Sequence, residues 1–138
     1  MTIWMWLVSL SIGALVTGLP AAQSPEDLAE KSALAWLALV DAGNYEESWK
    51  QAASFFRGAV SQEDWKKAMA GAREPFGKML SRKVKSRTYA ESLPGAPDGK
   101  YVVLEFDTSF ENKKAAVETV TPMQESDGTF RVSGYFIK

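Results

Sequence analysis

Asp107 and Glu118 are the residues of this chain whose types and predicted placement come closest to an acid–base pair. The predicted hairpin register puts them side by side, and two adjacent carboxylates can share one proton, as acid–base catalysis requires. The same residues also fit an exposed charge lattice with Lys83 and Lys85. Exposed ion pairs contribute only about 0–1 kcal/mol each. Because an open sheet face excludes no water, we favour the lattice over a catalytic pair.

Arg73 and Arg82 flank the predicted junction between the helices and the sheet. Either side chain could bind an anionic ligand, and either could instead cap a helix C-terminus or form an ion pair. Arg82 also begins a basic series with Lys83, Lys85 and Arg87, which would suit a polyanion. In the predicted strand Lys83, Lys85 and Arg87 lie on the face of the sheet away from the helices. Lys83 there faces Asp107 and Lys85 faces Glu105 of the next strand, so acidic residues offset the basic ones. Nucleic acid is therefore not an expected partner.

The composition lacks two residue types that are common in catalytic and metal sites. The 138 residues include no histidine and no cysteine, and the net charge is −1. The usual transition-metal ligands, the neutral-pH proton shuttle and the thiol nucleophile are therefore missing. A charge so close to zero creates no strong field for nucleic acid or anionic membranes. We predict no cofactor, no metal site and no catalytic residue, and we do not expect an enzyme.

An uncharged run from Ile3 to Leu19 precedes every charged side chain of the chain. The small residues Ala21 and Ala22 follow, as at a signal peptidase site, so we expect residues 1–22 to be a cleaved signal peptide. A run of this length can also just cross a bilayer, which makes an uncleaved membrane anchor the alternative. Both readings place the single domain of residues 23–138 in the periplasm or outside the cell. Membrane contact is expected only through the N-terminal segment.

Three helix starts are marked by capping residues. Ser24 with Pro25, Asn44 and Ser61 each precede an acidic first turn and an apolar stripe at helical spacing. Gly43 ends the first helix, and Pro75 and Gly77 end the third. The aromatic members of the stripes are interpreted as core, with the lining of a ligand cavity as the alternative: Trp36, Trp49, Phe56, Trp65 and Phe76.

After Gly77 the apolar period changes from that of a helix to that of a strand. Four strands are predicted: Ser81–Tyr89, Lys100–Phe110, Ala115–Gln124 and Thr129–Ile137. The connections between them are short or rich in turn residues, so neighbouring strands should be antiparallel. Helices followed by strands predict an α+β fold, in which three N-terminal helices pack on one face of a four-stranded antiparallel meander.

The turn lengths predict the strand registers. A four-residue turn would pair Phe110 with Ala115 and place Asp107 opposite Glu118, and a two-residue turn would pair Met123 with Val132. In these registers the inner face of the sheet, which receives the helices, includes Phe106 and Phe136. The outer face carries a mixed patch that we predict to be an interface, with a second copy of the chain as one candidate partner: Tyr101, Val103, Val120, Tyr135 and Ile137.

Two parts of the C-terminal half carry a family resemblance, namely the stretch from Tyr101 to Lys113 and the segment Phe130-Arg-Val-Ser-Gly-Tyr-Phe-Ile. They resemble a bacterial envelope family known as domain of unknown function 4019. The helical half is similar too, through these residues and segments: Trp36, Asp41-Ala-Gly-Asn-Tyr, Ser48-Trp49, Trp65, Arg73-Glu-Pro-Phe-Gly and Ser81-Arg82. The resemblance implies an exported protein from a Gram-negative-type bacterium, and it implies no activity. The element order also resembles NTF2-like and cystatin-like folds, although the early strand pair of those folds is missing.

Three functions stay open from the sequence. The first is an exported, non-catalytic binding or interaction module whose partner is an envelope protein or a second copy. The second is an NTF2-like domain that binds a small ligand between helices and sheet. The third is an enzyme, for which the sequence offers no nucleophile–base pair. A cavity of several hundred Å³ would favour the ligand binder, and a filled core would favour the interaction module.

Overall fold

The computed structural model describes residues 22–138 together with Gly13 and Gly18. The rest of the predicted signal peptide, including nearly all of the Ile3–Leu19 run, lies outside the described residues. Within the described part the chain forms four α-helices, namely α1 (Pro25–Asp41), α2 (Tyr45–Gln51), α3 (Ser54–Ala59) and α4 (Gln62–Ala72), followed by a 3₁₀ turn at Glu74–Phe76. None of these helices is both long enough and apolar enough to cross a membrane.

Side-chain caps start three of the helices, as the sequence predicts. Ser24 Oγ accepts a hydrogen bond from the Asp27 N–H at 3.1 Å, and Ser61 Oγ accepts one from the Asp64 N–H at 3.2 Å. Asn44 Oδ1 accepts a hydrogen bond from the Glu47 N–H at 3.4 Å. Each cap satisfies a backbone donor that the first helical turn leaves free.

The predicted second helix is divided in two, so the expectation of three helices was wrong. Ala52 and Ala53 both have extended backbones, and both are completely buried. The Ala53 N–H donates to the Val132 carbonyl oxygen at 2.8 Å, and the Ser54 N–H donates to the Glu125 carboxylate at 2.7 Å. Alanine favours a helix intrinsically, but these bonds to the sheet require the chain to open at this point.

The α+β class and the antiparallel meander are confirmed. The strands β1 (Met79–Ala90), β2 (Tyr101–Phe110), β3 (Lys113–Gln124) and β4 (Phe130–Ile137) pair in the order β1-β2-β3-β4. All three pairings are antiparallel. The helices pack on one face of this sheet, so the sheet has an inner face toward the helices and an outer face away from them.

The turn between β2 and β3 contains two residues rather than the predicted four. Phe110 pairs with Lys113 instead of Ala115, which is a shift of two residues. A bulge between Thr108 and Phe110 reverses one of the two, so Phe106 pairs with Glu118 and the net difference from the predicted register is one residue. The turn is fixed from outside the sheet, because Asn112 donates its backbone N–H to the Phe76 carbonyl oxygen at 2.9 Å. This one-residue difference reverses the faces of β3, so Glu118 points inward and its neighbours in sequence point outward.

The β3–β4 pairing combines a correct and an incorrect prediction. Thr119 pairs with Phe136 as expected, whereas Met123 pairs with Arg131 rather than with Val132. A register shift between these pairs marks a bulge near Gly134, which changes the face of the residues that follow. Phe136 therefore lies on the outer face with 59% of its surface exposed, and its predicted burial was wrong.

The core lies between α1 and the three strands β2, β3 and β4. Leu104 and Phe106 on β2 and Val120 on β3 are completely buried, and Leu37 of α1 is equally buried on the helix side. Trp36, Trp65 and the other core members form one continuous apolar cluster with them. The interpretation of these aromatic residues as core rather than as cavity lining is consistent with this burial.

Candidate functional site

Six polar residues meet in a buried ionic cluster between the helices and the sheet. Its members are Asp41, Arg73, Arg82, Thr108, Glu118 and Tyr135. Asp41 is the last residue of α1, and Arg73 follows the end of α4. The other members come one from each strand, so the cluster links the helix layer to the whole width of the sheet.

Arg82 is the centre of the cluster. Its Nη1 and Nη2 atoms donate to the two carboxylate oxygens of Asp41 at 2.8 and 2.9 Å, a bidentate pair. Its Nε donates to Glu118 Oε1 at 2.8 Å. Burial opposes the charge of Arg82, but the hydrogen bonds to Asp41 and Glu118 outweigh that effect and raise its pKa. The guanidinium therefore stays charged in the interior.

Arg73 joins the same carboxylate from the other side. Its Nη2 donates to Asp41 Oδ1 at 3.1 Å, and its Nη1 donates to the Gly77 carbonyl oxygen at 2.6 Å. The guanidinium carbon lies 4.3 Å from the centre of the Phe110 ring, a cation–π contact. The Nε atom is buried without a hydrogen-bond partner in the described residues. Arg73 thus serves as an ion pair and as a cap for the turn that leads into β1.

Glu118 is completely buried and uses both of its carboxylate oxygens. Oε1 accepts from Arg82 and also from Thr108 Oγ1 at 2.6 Å, and Oε2 accepts from the Tyr135 hydroxyl. Burial raises the pKa of Tyr135, and the negative charge of Glu118 raises it further. The phenol accordingly remains a neutral donor to the carboxylate.

The charges of the cluster cancel, because two guanidinium groups face two carboxylates. Breaking a buried pair by removing one partner leaves an uncompensated charge and typically costs about 3–5 kcal/mol. With the pKa values of Arg82 and Tyr135 both raised, neither group exchanges a proton near neutral pH. The arrangement is suited to holding the two layers together and to fixing their relative position.

A tryptophan network borders the cluster. The indole N–H of Trp36 donates to the Ser48 carbonyl oxygen at 2.8 Å, and that of Trp65 donates to Ser48 Oγ at 2.9 Å. The Tyr135 ring lies 5.2 Å from the Trp36 ring, centre to centre. These indole donors are satisfied by the protein itself, as expected of aromatic residues that fill a core.

Two clefts open beside the core. One, of 420 Å³, lies at the C-terminal end of α1 and is lined by Asp41, Tyr45, Arg73 and Lys78 among others. The other, of 360 Å³, lies between α1, α2 and β4, where its walls include Trp36 and Arg131. Both are open at the margin of the layers, and neither is lined by Leu104 or Phe106, the central residues of the inner face.

The five predicted interface residues do not share one face of the sheet. Val120 and Tyr135 pair with each other, and Ile137 pairs with Glu118, which places all three on the inner face. Their predicted outer placement was wrong because it rested on the shifted β3 register.

The remaining two interface candidates do occupy outer-face positions. Val103 is half-buried there, opposite Thr88. Tyr101 is almost completely buried under the β1–β2 loop, where its hydroxyl donates to the Pro97 carbonyl oxygen at 2.5 Å. Of the predicted patch, only Val103 is accessible on the outer face.

The predicted Asp107–Glu118 pair does not form. Asp107 pairs with Lys83 and Val117 on the outer face, whereas Glu118 lies on the inner face. The expected pairing of Lys85 with Glu105 was wrong as well, since a bulge at Lys85 brings another residue opposite Glu105. A shared-proton dyad of these two carboxylates is therefore excluded by geometry.

The same bulge redirects Arg87, which was expected on the outer face. Arg87 pairs with Leu104 on the inner face and donates to Asp27 of α1 at 2.7 Å. That hydrogen bond from Arg87 lowers the pKa of Asp27. The N-terminal end of α1 is thereby tied to β1, just as Asp41 ties its C-terminal end.

Little in the sequence indicates the ionic cluster. Arg73 and Arg82 were candidates because they flank the helix-to-sheet junction. Asp41 and Thr108 were not candidates, and Tyr135 was predicted as an interface residue on the outer face rather than as a buried donor. Glu118 was assigned to the solvent because charged residues in a strand normally face water. The predicted register places Asp107 opposite Glu118, and two like charges in opposite positions destabilise a sheet. This pair was the one indication in the sequence that the predicted register was unfavourable.

The described residues contain no group of three or more acidic, histidine or cysteine side chains placed to hold a metal ion.

Residues 32–135, which include every member of the cluster, match the family described as protein of unknown function (DUF4019). The chain belongs to this family. No curated protein and no solved structure matches the chain significantly.

Proposed function

We propose that this DUF4019 protein is an exported, non-catalytic module that binds another protein through the outer face of its sheet. The observation that carries the proposal is Phe136, a large aromatic side chain that is 59% exposed on a regular strand. No helix covers that face in the described residues, and a strand holds the ring in a fixed position. Exposed aromatic residues on rigid elements are common anchors of protein interfaces.

The rest of the outer face also suits an interface. Val103 and Val117 add apolar surface, while Lys83 and Asp107 add charges of opposite sign. A four-stranded sheet with strands of this length presents roughly 600 Å² in projection. That is comparable to the ~800 Å² of accessible surface that each partner contributes to a standard interface. The mixture of both charges allows the partner to be a second copy of the chain.

The interior supports a non-catalytic role. The buried charges neutralise one another, and the raised pKa values of Arg82 and Tyr135 keep those groups from acting as acids or bases near neutral pH. The clefts lie at the margins of a core whose central residues are completely buried. These features favour recognition on the surface over chemistry inside.

Export is part of the proposal and rests on the uncharged Ile3–Leu19 run with Ala21 and Ala22 behind it. Mass spectrometry of the protein recovered from its native host is expected to show a chain that begins at Ala22 or Gln23. A chain recovered from the cytosol with Met1 in place would contradict it.

Site-specific crosslinking in the native host tests the binding function. A photoreactive amino acid in place of Phe136 is expected to form adducts with another protein, including a copy of the same chain if the module is a dimer. The matched control is Phe55 on α3, which is also a partly exposed phenylalanine but lies on the helical side. Equal adduct formation at both positions, or none at Phe136, would refute the outer face as the binding surface.

Purified protein gives an independent test of the dimeric form. Sedimentation across a wide concentration range is expected to show reversible association that Phe136→Lys weakens and Phe55→Lys leaves unchanged. A single monomeric species at the highest concentrations would eliminate the second copy as partner and leave only a different protein.

A small ligand in the α1–β4 cleft is the second candidate function. The cleft of 360 Å³ combines an apolar wall, which includes Trp36, with polar groups of Glu47 and Arg131. Native mass spectrometry of protein from its host would detect such a ligand as added mass. If it is present, Ala35→Trp, which fills the cleft, should remove it. Our proposal expects no added mass.

A further inference from the structure

The two edge strands of the sheet differ in how far other parts of the chain cover them. At the β4 edge, the Phe130 carbonyl oxygen accepts from Ser32 Oγ at 2.6 Å, and the Val132 carbonyl oxygen accepts from the Ala53 N–H at 2.8 Å. Helix α1 and the α2–α3 junction thus use two of the free acceptors of that edge, at the start of β4. Covering an edge in this way prevents another strand from pairing with it.

The β1 edge has no such cover. Strand β1 is twelve residues long (Met79–Ala90), and within the described part of the chain its backbone hydrogen bonds go only to β2. The side of β1 away from β2 therefore presents a row of unused N–H and C=O groups. Such a row is the template on which an extended segment can add as a further strand.

An apolar strip runs beside this edge on the inner side. Two ion pairs, Asp27–Arg87 and Asp41–Arg82, tie the two ends of α1 to β1. Leu34 lies midway between the two aspartates, two turns from each, and therefore on the same side of α1. It is 45% exposed, and Val84, which lies between the two arginines on β1, is 39% exposed.

The spacings agree with this placement. The aspartates are separated by about 21 Å along the helix, and the arginines by about 17 Å along the strand. The ion pairs thus bracket Leu34 and Val84, and an added strand would cover both with its inward side chains. Two partly exposed aliphatic residues beside an open edge give such a strand apolar surface to bury.

The outer side of the same edge is basic. Lys83 points to the outer face, where its Cα partner is Asp107, and Lys85 is exposed at the bulge. In the described residues neither lysine forms an ion pair, whereas Arg82 and Arg87 are both matched by carboxylates. An added strand would therefore meet two lysine ammonium groups, on its outward side and at the bulge, that form no ion pair of their own within the described residues.

We propose that the β1 edge binds an extended segment of a partner protein in which apolar and acidic residues alternate. The apolar residues would face Leu34 and Val84 on the inner side, and the acidic residues, on the opposite side of the added strand, would lie beside Lys83 on the outer face and Lys85 at the bulge. The inference rests on the proposed function as a protein-binding module and names a second surface for it. A second copy of β1 is a poor occupant, because antiparallel pairing would bring the lysines of both copies together.

The probe for this site is a synthetic peptide of alternating valine and glutamate, about ten residues long, the length of a strand. Its binding to the mature protein is followed by fluorescence anisotropy, and the protected region is located by hydrogen exchange. The expected result is saturable binding with slowed amide exchange confined to residues 79–90. The matched peptide of alternating valine and lysine is expected not to bind.

The variant Lys83→Glu/Lys85→Glu is expected to weaken binding of the acidic peptide about tenfold, because two exposed interactions change from attraction to repulsion. The control is Lys66→Glu/Lys67→Glu, the same charge change at exposed positions of α4. Equal losses in both double variants would mean that net charge rather than the edge attracts the peptide. Equal binding of both peptides, or no binding of either, would overturn the proposal.

Slowed amide exchange on the outer face instead of in residues 79–90 would overturn the β1-edge proposal and leave the proposed function intact. Slowed exchange in residues 79–90 with no adducts at Phe136 would support the β1-edge proposal and refute the outer face as the binding surface. The two proposals can therefore fail separately.

Discussion

Replacing Glu118 by Gln tests whether the buried cluster holds the fold together. The side chain is completely buried and accepts hydrogen bonds from Arg82, Thr108 and Tyr135. Glutamine keeps the shape and one acceptor oxygen, but it removes the negative charge. One of the two positions now occupied by carboxylate oxygens then holds an NH₂ group that cannot accept.

The expected cost follows from the bonds that change. Hydrogen bonds to charged groups contribute about 1.5–3 kcal/mol each, against about 1 kcal/mol for neutral ones. Losing that difference of about 0.5–2 kcal/mol for Arg82 and for one hydroxyl donor gives about 1–4 kcal/mol, which overlaps the ~3–5 kcal/mol range for breaking a buried ion pair. A domain of this size is typically stable by about 5–15 kcal/mol, so the variant should still fold.

Urea unfolding of wild type and variant measures the difference. The control is Glu105→Gln, a carboxylate on the outer face that should change stability by less than about 0.5 kcal/mol. A double-mutant cycle with Thr108→Val should give a coupling of about 1 kcal/mol, because Thr108 bonds directly to the carboxylate. A loss below about 1 kcal/mol for Glu118→Gln, or no coupling, would refute the cluster as a source of stability.

Three further predictions test the register, a surface ion pair and the break between α2 and α3. Phe106→Ala should destabilise the protein by about 3–5 kcal/mol and Phe136→Ala by about 0.5 kcal/mol or less, as measured by urea unfolding; similar losses would contradict the faces assigned to β2 and β4. The Arg87 hydrogen bond lowers the pKa of Asp27 from 3.8, so its stabilising contribution should be present above that pH and disappear as the pH falls through the lowered value. Unfolding curves of wild type and Asp27→Asn should therefore differ at pH 6 and converge in acid, and a constant difference would contradict the linkage. Ala53→Pro should lower the unfolding free energy by about 1–3 kcal/mol, because proline suits the backbone angle of −60° but removes the N–H that bonds to β4; an unchanged midpoint would show that the bond is dispensable.

The elements that could be predicted are those determined by neighbouring residues. The caps at Ser24 and Ser61 act within one helical turn, so their sequences indicate where α1 and α4 begin. The change of period after Gly77 similarly marks where the sheet begins. The break at Ala53 could not be predicted in this way, because it depends on a carbonyl group 79 residues further along the chain.

The β3 register could not be predicted because its hydrophobic pattern is ambiguous. The residues that face inward are Ala116, Glu118, Val120 and Pro122. The outward set contains Val117, Thr119 and Met123 and is equally apolar, so the pattern fits either phase. The turn at Glu111 and Asn112 contains no glycine to mark its length. Without a local signal, a carboxylate in this strand is assigned to the solvent.

The ionic cluster resolves the ambiguity that the apolar pattern leaves. A slip of β3 by one residue would carry Glu118 to the outer face and bring a neutral residue, Val117 or Thr119, to the inner face. Arg82 would then lose one of its two carboxylates, while the Tyr135 and Thr108 hydroxyls would lose their acceptor. Leaving such groups buried and unpaired costs more than a change of apolar side chains of similar size. We infer that the buried charges select the register of the sheet. The position of Phe136 on the outer face, on which the proposed binding surface depends, follows from that selection because Phe136 pairs with Thr119 of β3.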